Sequence, residues 1–178
     1  MSFSKMGMQY QVSETFRNIY ISPRPNMDTL IAFYRESSAR KFWLTELWPQ
    51  TREMREEKII NRQMEWVQGF ISQYCRESKP SMAEFFPNHW GYYLRAENVW
   101  PEVEYKLIDP LFNVDITGGE VSTSDISDYT GSNKLDAVLL FEALDRAVNP
   151  ADVLKKVNNL LKPGGLCFVT CLLSSGFE

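Results

Sequence analysis

The last quarter of the chain constrains its fold most. Leu135 to Phe141 is a short, almost continuous apolar run, the pattern of a parallel strand covered on both faces. Asn149 can cap a helix, and Pro150 suits its first position. Val153, Leu154, Val157, Leu160 and Leu161 supply the buried side of that helix. Pro163-Gly164-Gly165 ends it and turns the chain into a second apolar run, Leu166 to Leu173. Strand, loop, capped helix, tight turn and strand make one βαβ unit. Such a unit commits the chain to an α/β fold with parallel strands and right-handed crossovers.

Upstream, residues 1–24 show no clear period and read as an arm that Pro23 and Pro25 end. A helix is expected from Asn26 or Asp28, with Leu30, Phe33, Tyr34 and Ser37 at helical spacing. Phe42, Trp43, Leu47 and Trp48 continue the apolar load until Pro49 breaks the run. Thr51 opens a longer helix whose Ile60, Met64, Val67, Ile71 and Tyr74 form a core-facing stripe. Arg52, Arg55, Glu56, Arg62 and Gln63 fall on its polar face. From Ser81 the texture changes to short strands and loops. Met82–Phe86 and Val103–Ile108 read as strands, Tyr92–Val99 as a short helix, and Thr117–Glu120 as a turn. Ser122–Ser132 reads as polar loop. The expected organisation is a helical N-terminal extension or cap over residues 1–80 and an α/β domain over residues 81–178.

Composition narrows the function classes. Residues 1–80 carry a net charge of +3 and residues 81–178 a net charge of −7. An acidic second half argues against a nucleic-acid groove, which needs clustered cations. The mixed charges of the first half read as a solvated helical surface. Cys75, Cys167 and Cys171 form no disulfide or zinc pattern. Cys167 and Cys171 share one face of a strand and are expected to be buried small hydrophobes. A reducing, cytoplasmic setting fits that usage. No stretch is long and apolar enough to span a membrane, and the N-terminus lacks the apolar core of a signal peptide.

Ligands of open α/β sheets bind beyond the carboxyl ends of the strands. Four places qualify: Pro87–Gly91, Asp109, Asp125-Ile126, and Phe141–Arg146. Gly91 and Asp109 lie 18 residues apart, close to the glycine-to-acid spacing of a nucleotide-binding βαβ unit. A carboxylate there can accept from two ribose hydroxyls. Asp109-Pro110 is equally a common turn opener. His89, the only histidine, is either a base toward a substrate or a loop residue bonded to backbone. Asp145-Arg146 is either an acceptor contact or a local ion pair. Tyr92, Tyr93, Trp100, Trp43 and Trp48 read as core rather than as a substrate cage.

The stretch 135–175 resembles the second half of a class I S-adenosylmethionine-dependent methyltransferase domain. That family carries a strand of the form D-x-V-x-x-x-E-x-L-x-H, then D/N-P, a helix and L-K-P-G-G. Asp136, Val138, Glu142, Leu144, Asn149-Pro150 and Leu161–Gly165 match, and Arg146 stands where histidine is frequent. The resemblance implies a Rossmann-like parallel sheet. It also implies S-adenosylmethionine contacts at Glu84, Asn88, His89, Trp90 and Gly91, ribose contacts at Asp109, and an adenine contact at Asp125 with Ile126 beside it. Phe141 and Glu142 would lie near the methionine end, and no metal is implied. The implied activity is methyl transfer to a small-molecule or protein acceptor. The alternative is a non-catalytic relative kept for assembly or regulation. The first loop departs from the family, because Glu84-Phe-Phe-Pro-Asn-His-Trp-Gly91 keeps one glycine where Gly-x-Gly-x-Gly is usual. A nucleotide-dependent Rossmann enzyme is disfavoured by the same missing glycines. The family also continues beyond its fifth strand with a helix and an antiparallel pair. The resemblance therefore implies that the C-terminal strands are missing and that the strand of 166–173 is an open edge. A fragment, a split half, or a protomer completed by a second copy or another chain is expected.

Overall fold

The computed structural model of the chain describes residues 1–5, 7–87, 91–109, 121–122 and 134–172. Asn88, His89, Trp90, Asp125 and Ile126 lie outside the described residues. The βαβ unit forms as its sequence dictates. Strand β7 (Leu135–Phe141) is buried at every position. Helix α6 (Pro150–Leu160) opens on Asn149, whose Oδ1 accepts from the N–H groups of Ala151 and Asp152. Strand β8 (Leu161–Thr170) returns parallel to β7.

Pro163-Gly164-Gly165 lies within β8 rather than before it. The register slips between Leu135↔Leu161 and Ala137↔Leu166, so the three residues form a bulge. Gly164 takes a φ of +79°, which suits glycine. A Cβ on Gly165 would come within 3.0 Å of the Lys162 carbonyl and 3.2 Å of those of Asp136 and Leu135. Close backbone approach therefore requires glycine at 165.

Strands β4 (Ser81–Phe85), β5 (Glu104–Ile108) and β6 (Val121–Ser122) complete a five-stranded parallel sheet of order β6-β5-β4-β7-β8. Ser122, expected in a loop, is in β6 because it pairs with Ile108, a non-local contact that local sequence does not announce. One sheet face packs Met82, Leu107, Ala137 and Leu139 against α4 (Asn61–Tyr74) and α5 (Gly91–Val99). The other packs Phe85, Ile108, Val138 and Leu140 against α6, with Met27, Ile31 and Tyr34 of α1 (Met27–Glu36) alongside. Asn26 caps α1 by accepting from the Thr29 N–H at 2.8 Å.

The helix before α4 is continuous where a break was expected at Pro49. Helices α2 (Ser38–Phe42), α3 (Trp48–Arg55) and α4 are joined by π-helical turns at Trp43–Leu47 and Glu56–Ile60. Pro49 has no N–H to lose in the first turn of α3, and the wider π turn before it eases the clash with the preceding carbonyl. Ile60, Met64, Val67 and Ile71 are buried as their spacing requires. Tyr74 is exposed and stacks on exposed Phe70, because the stripe outruns the sheet. Cys167 is also exposed, since β8 is an edge of the sheet among the described residues, and Cys171, expected on the same strand, lies past its end and is exposed too.

Residues 1–24, which read as an arm without a clear period, contain regular strands. They hold an antiparallel meander, β1 (Ser2–Lys5), β2 (Met8–Val12) and β3 (Ile19–Ile21). Gly7 turns β1 into β2 at a φ of +75°, and Phe3 stacks on its register partner Tyr10 at 5.1 Å.

At the amino end of the large sheet, Asp136 ties three strands together. Its carboxylate accepts from the Ser81 N–H at 2.8 Å and hydroxyl at 3.1 Å, and from Lys162 Nζ at 2.8 and 2.9 Å. Burial alone would raise its pKa, but Lys162 and Ser81 outweigh burial and hold it below the ordinary value.

Candidate functional site

The sheet order places a topological switch point between β4 and β7: from β4 the chain moves outward through β5 and β6, and from β7 toward β8. Ligand crevices of such sheets open there, at the carboxyl ends. Glu84 and Asp109 both reach that end and are wholly buried. Glu84 Oε2 accepts from the Tyr105 hydroxyl at 2.7 Å, while Oε1 has no hydrogen-bond partner among the described residues. Burial pushes the Glu84 carboxyl up to about 8, against the opposing hydrogen bond from Tyr105 and the charge of Arg146. Asp109 directly follows β5.

Two residues here hold left-handed backbone without being glycine. Phe86 follows β4 with φ 54°, and Glu142 follows β7 with φ 52°. Left-handed backbone costs a side-chain-bearing residue roughly 1–2 kcal/mol. Phe86 thus holds a conformation that suits glycine while burying a large ring. Its N–H donates to the Ile108 carbonyl at 3.0 Å, and the Glu142 N–H donates to the Thr170 carbonyl at 3.0 Å and hydroxyl at 3.1 Å. Arg146 spans the switch point. Its Nε donates to the Glu142 carbonyl at 2.8 Å and its Nη2 to the Phe86 carbonyl. The guanidinium thus binds backbone on both sides of the crevice.

Gly91 opens α5 and is buried. Phe141 is buried at the end of β7 with the Tyr92 ring 4.6 Å from its own. The structure thus brings Glu84, Gly91, Asp109, Phe141 and Glu142 to one end of the sheet.

Above this end lies a cleft of about 480 Å³, roofed by α1, α2 and the two π turns. Tyr92, Glu142 and Arg146 contribute from the sheet side. Tyr34, Arg40, Trp43 and Arg55 contribute from the helices. Trp43 and Tyr92, expected only as core, are therefore wall residues as well. Burial lowers the Arg40 pKa, Asp109 opposing and Arg146 adding to the shift. Burial raises the Tyr34 hydroxyl, with Arg146 and Arg40 opposing. Sequence reasoning missed Tyr34, Arg40 and Arg55 as site residues. Arg55 falls on the polar face of its helix, Tyr34 in an apolar series, and nothing local marks any of the three. Among the described residues no cluster could hold a metal ion, and no helix is long and apolar enough to cross a membrane.

No family model matches the sequence, and no curated protein matches it. Solved structures do match in fold. The sugar N-methyltransferase KedS8 from Streptoalloteichus sp ATCC 53650 aligns at 17% identity and a TM-score of 0.56, over 75% of this chain and 55% of that one. The plantazolicin methyltransferase BpumL in complex with a pentazolic desmethylPZN analog and SAH aligns at 13% identity and a TM-score of 0.51, over 82% of this chain and 60% of that one. BpumL in complex with SAH aligns at 13% identity and a TM-score of 0.51, over 79% of this chain and 56% of that one. This chain therefore spans 55–60% of the length of these structures. The parallel sheet, its order and these likenesses agree: the chain has the class I, Rossmann-like fold of the S-adenosylmethionine-dependent methyltransferases.

Proposed function

We propose that this chain binds S-adenosylmethionine at the carboxyl ends of β4 and β5 and supports methyl transfer to a small molecule in the cleft above them. The observation that carries the reading is the pair of buried carboxyl side chains, Glu84 and Asp109, on adjacent strands at the switch point. A buried carboxyl oxygen without a hydrogen bond is costly, and Glu84 Oε1 is such an atom among the described residues. The acceptor-only carboxylate of Asp109 fits ribose hydroxyls, and the partnerless Oε1 of Glu84 fits a further polar contact. The cofactor supplies a methyl group already activated on sulfonium. The chain's residues need only hold the two reactants and exclude water. The helices over residues 26–78 would roof that site, dividing the chain into a cap over 1–80 and an α/β domain over 81–178. The three free cysteines suit a reducing, cytoplasmic setting. A protein acceptor is the less favoured substrate, because the cleft is sized for a small molecule.

A second reading has its own observation. Phe86 buries a large ring in a conformation that suits glycine, and Arg146 bridges the crevice walls. A non-catalytic relative serving assembly or regulation would tolerate both. Calorimetric titration with S-adenosylhomocysteine separates the readings. Saturable one-to-one binding supports the cofactor site, and absence of heat at millimolar ligand removes it.

The β8 edge supports a further part of the proposal, pairing with a second copy or another chain that extends the sheet. Exposed Trp66 and Phe70 stand edge-on to Phe168 of β8, with Trp66 at 5.0 Å and Phe70 at 6.3 Å. Apolar surface beside an open strand edge favours association. Light scattering on the chain should give a mass that rises with concentration; a constant monomer mass would overturn this part.

A further inference from the structure

We infer that the cleft is selective for an organic anion, a carboxylate carried on an apolar or aromatic body, with Arg55 reading the charge. The inference rests on the cleft being the acceptor site and names the class of acceptor. Three guanidinium groups line the cleft, from Arg40, Arg55 and Arg146, against one carboxyl group, that of Glu142. This concentration of positive charge stands in a chain of net charge −4.

The three arginines are not equivalent. Arg146 is committed to the Phe86 and Glu142 carbonyls. Arg40 is partly buried, and the charge of Asp109 opposes the effect of that burial on its guanidinium. Arg55 is oriented but uncommitted. Its Nε donates to Thr51 Oγ1 at 3.0 Å, and its guanidinium lies over the Trp43 ring at 5.6 Å. Its two Nη groups make no hydrogen bond among the described residues. A guanidinium held through Nε and an aromatic face keeps its outer donors available and loses little freedom on binding a carboxylate. Half-buried Trp43 and Tyr34, with buried Tyr92, offer flat apolar walls for the rest of the molecule. The volume of about 480 Å³ lies in the range of small-molecule sites.

The test uses indole-3-acetate as probe, with indole-3-acetamide and tryptamine as neutral and cationic matches. Each is titrated by calorimetry with and without saturating S-adenosylhomocysteine. The acetate should bind about tenfold or more tighter than the amide, and tryptamine weakest. Arg55→Gln should bring acetate and amide to equal affinity, and Arg55→Lys should restore part of the preference. Both variants should keep the wild-type melting midpoint within a few degrees. Equal binding of acetate and amide to the wild type, or no acetate binding at millimolar concentration, overturns the inference. So does a preference that survives Arg55→Gln. S-adenosylhomocysteine carries a carboxylate of its own. If Arg55→Gln weakens its binding as strongly as that of the acetate, Arg55 serves the cofactor and the acceptor assignment fails. Cofactor binding without anion preference sinks this inference alone. Anion preference without cofactor binding sinks the methyltransferase reading and leaves an anion site.

Discussion

The two ends of the parallel sheet both place carboxyl side chains out of water, and they treat them in opposite ways. At the amino end Asp136 has every oxygen matched by a cation, a hydroxyl or an N–H, and its charge is stabilised. At the carboxyl end burial raises Glu84 to about 8 and leaves one of its oxygens without a partner among the described residues. Backbone follows the same division. Among the described residues of the large sheet, the non-glycine residues in left-handed conformation, Phe86 and Glu142, are at its carboxyl end. Satisfied groups make a frame, whereas strain and an unpaired oxygen at the carboxyl end are what the proposed ligand site would use.

The largest expected effect is at the frame. Asp136→Ala removes the acceptor shared by Ser81 and Lys162 and should cost about 3 kcal/mol in urea unfolding. A loss under about 1 kcal/mol would erase the contrast between the ends. Gly165→Ala should follow at about 2 kcal/mol, because its Cβ meets three backbone carbonyls that cannot yield separately.

At the carboxyl end the signature is pH. The ordinary Glu pKa of 4.5 applies to the unfolded chain and about 8 to the folded one. Between these values the folded state holds a proton that the unfolded state has released. The Glu84 contribution to stability therefore falls as pH rises from about 4.5 to 8, by at most about 1.4 kcal/mol per pH unit. Asp136 has the opposite sign, since its folded pKa is lowered. Its contribution is present above the unfolded value of 3.8 and is lost as pH falls through the lower folded value. Glu84→Gln should flatten the loss between pH 4.5 and 8 in chemical unfolding, and an unchanged slope would contradict the burial argument. The smallest effect lies away from both ends. Gly69→Ala, at an exposed position of α4, meets nothing within 4 Å and should stabilise the chain by about 0.5–1 kcal/mol.

The frame was legible in the sequence because its information is local. Asp136 sits in an apolar run, Asn149-Pro150 is a cap, and Pro-Gly-Gly is a turn signal, though the last is realised as a bulge inside β8. The fold class followed from the βαβ pattern, Asp109 and Glu142 from strand ends, and Glu84 from the family resemblance alone. The cleft was not legible. It joins α1, α2 and the π turns to residues 92, 142 and 146, and no local pattern encodes that meeting. Pro49 was misread because its break signal assumes an α-helical turn before it, whereas the chain there is π-wound. The meander of residues 1–24 was missed because its strands are short and depend on pairing across Gly7.

The most direct test of the division between the ends is an amide NMR titration with S-adenosylhomocysteine. The account predicts shifts concentrated at Phe86, Asp109 and Glu142, with Ser81, Asp136 and Lys162 unmoved. Shifts at the amino end, or none at the carboxyl end up to millimolar ligand, would contradict it.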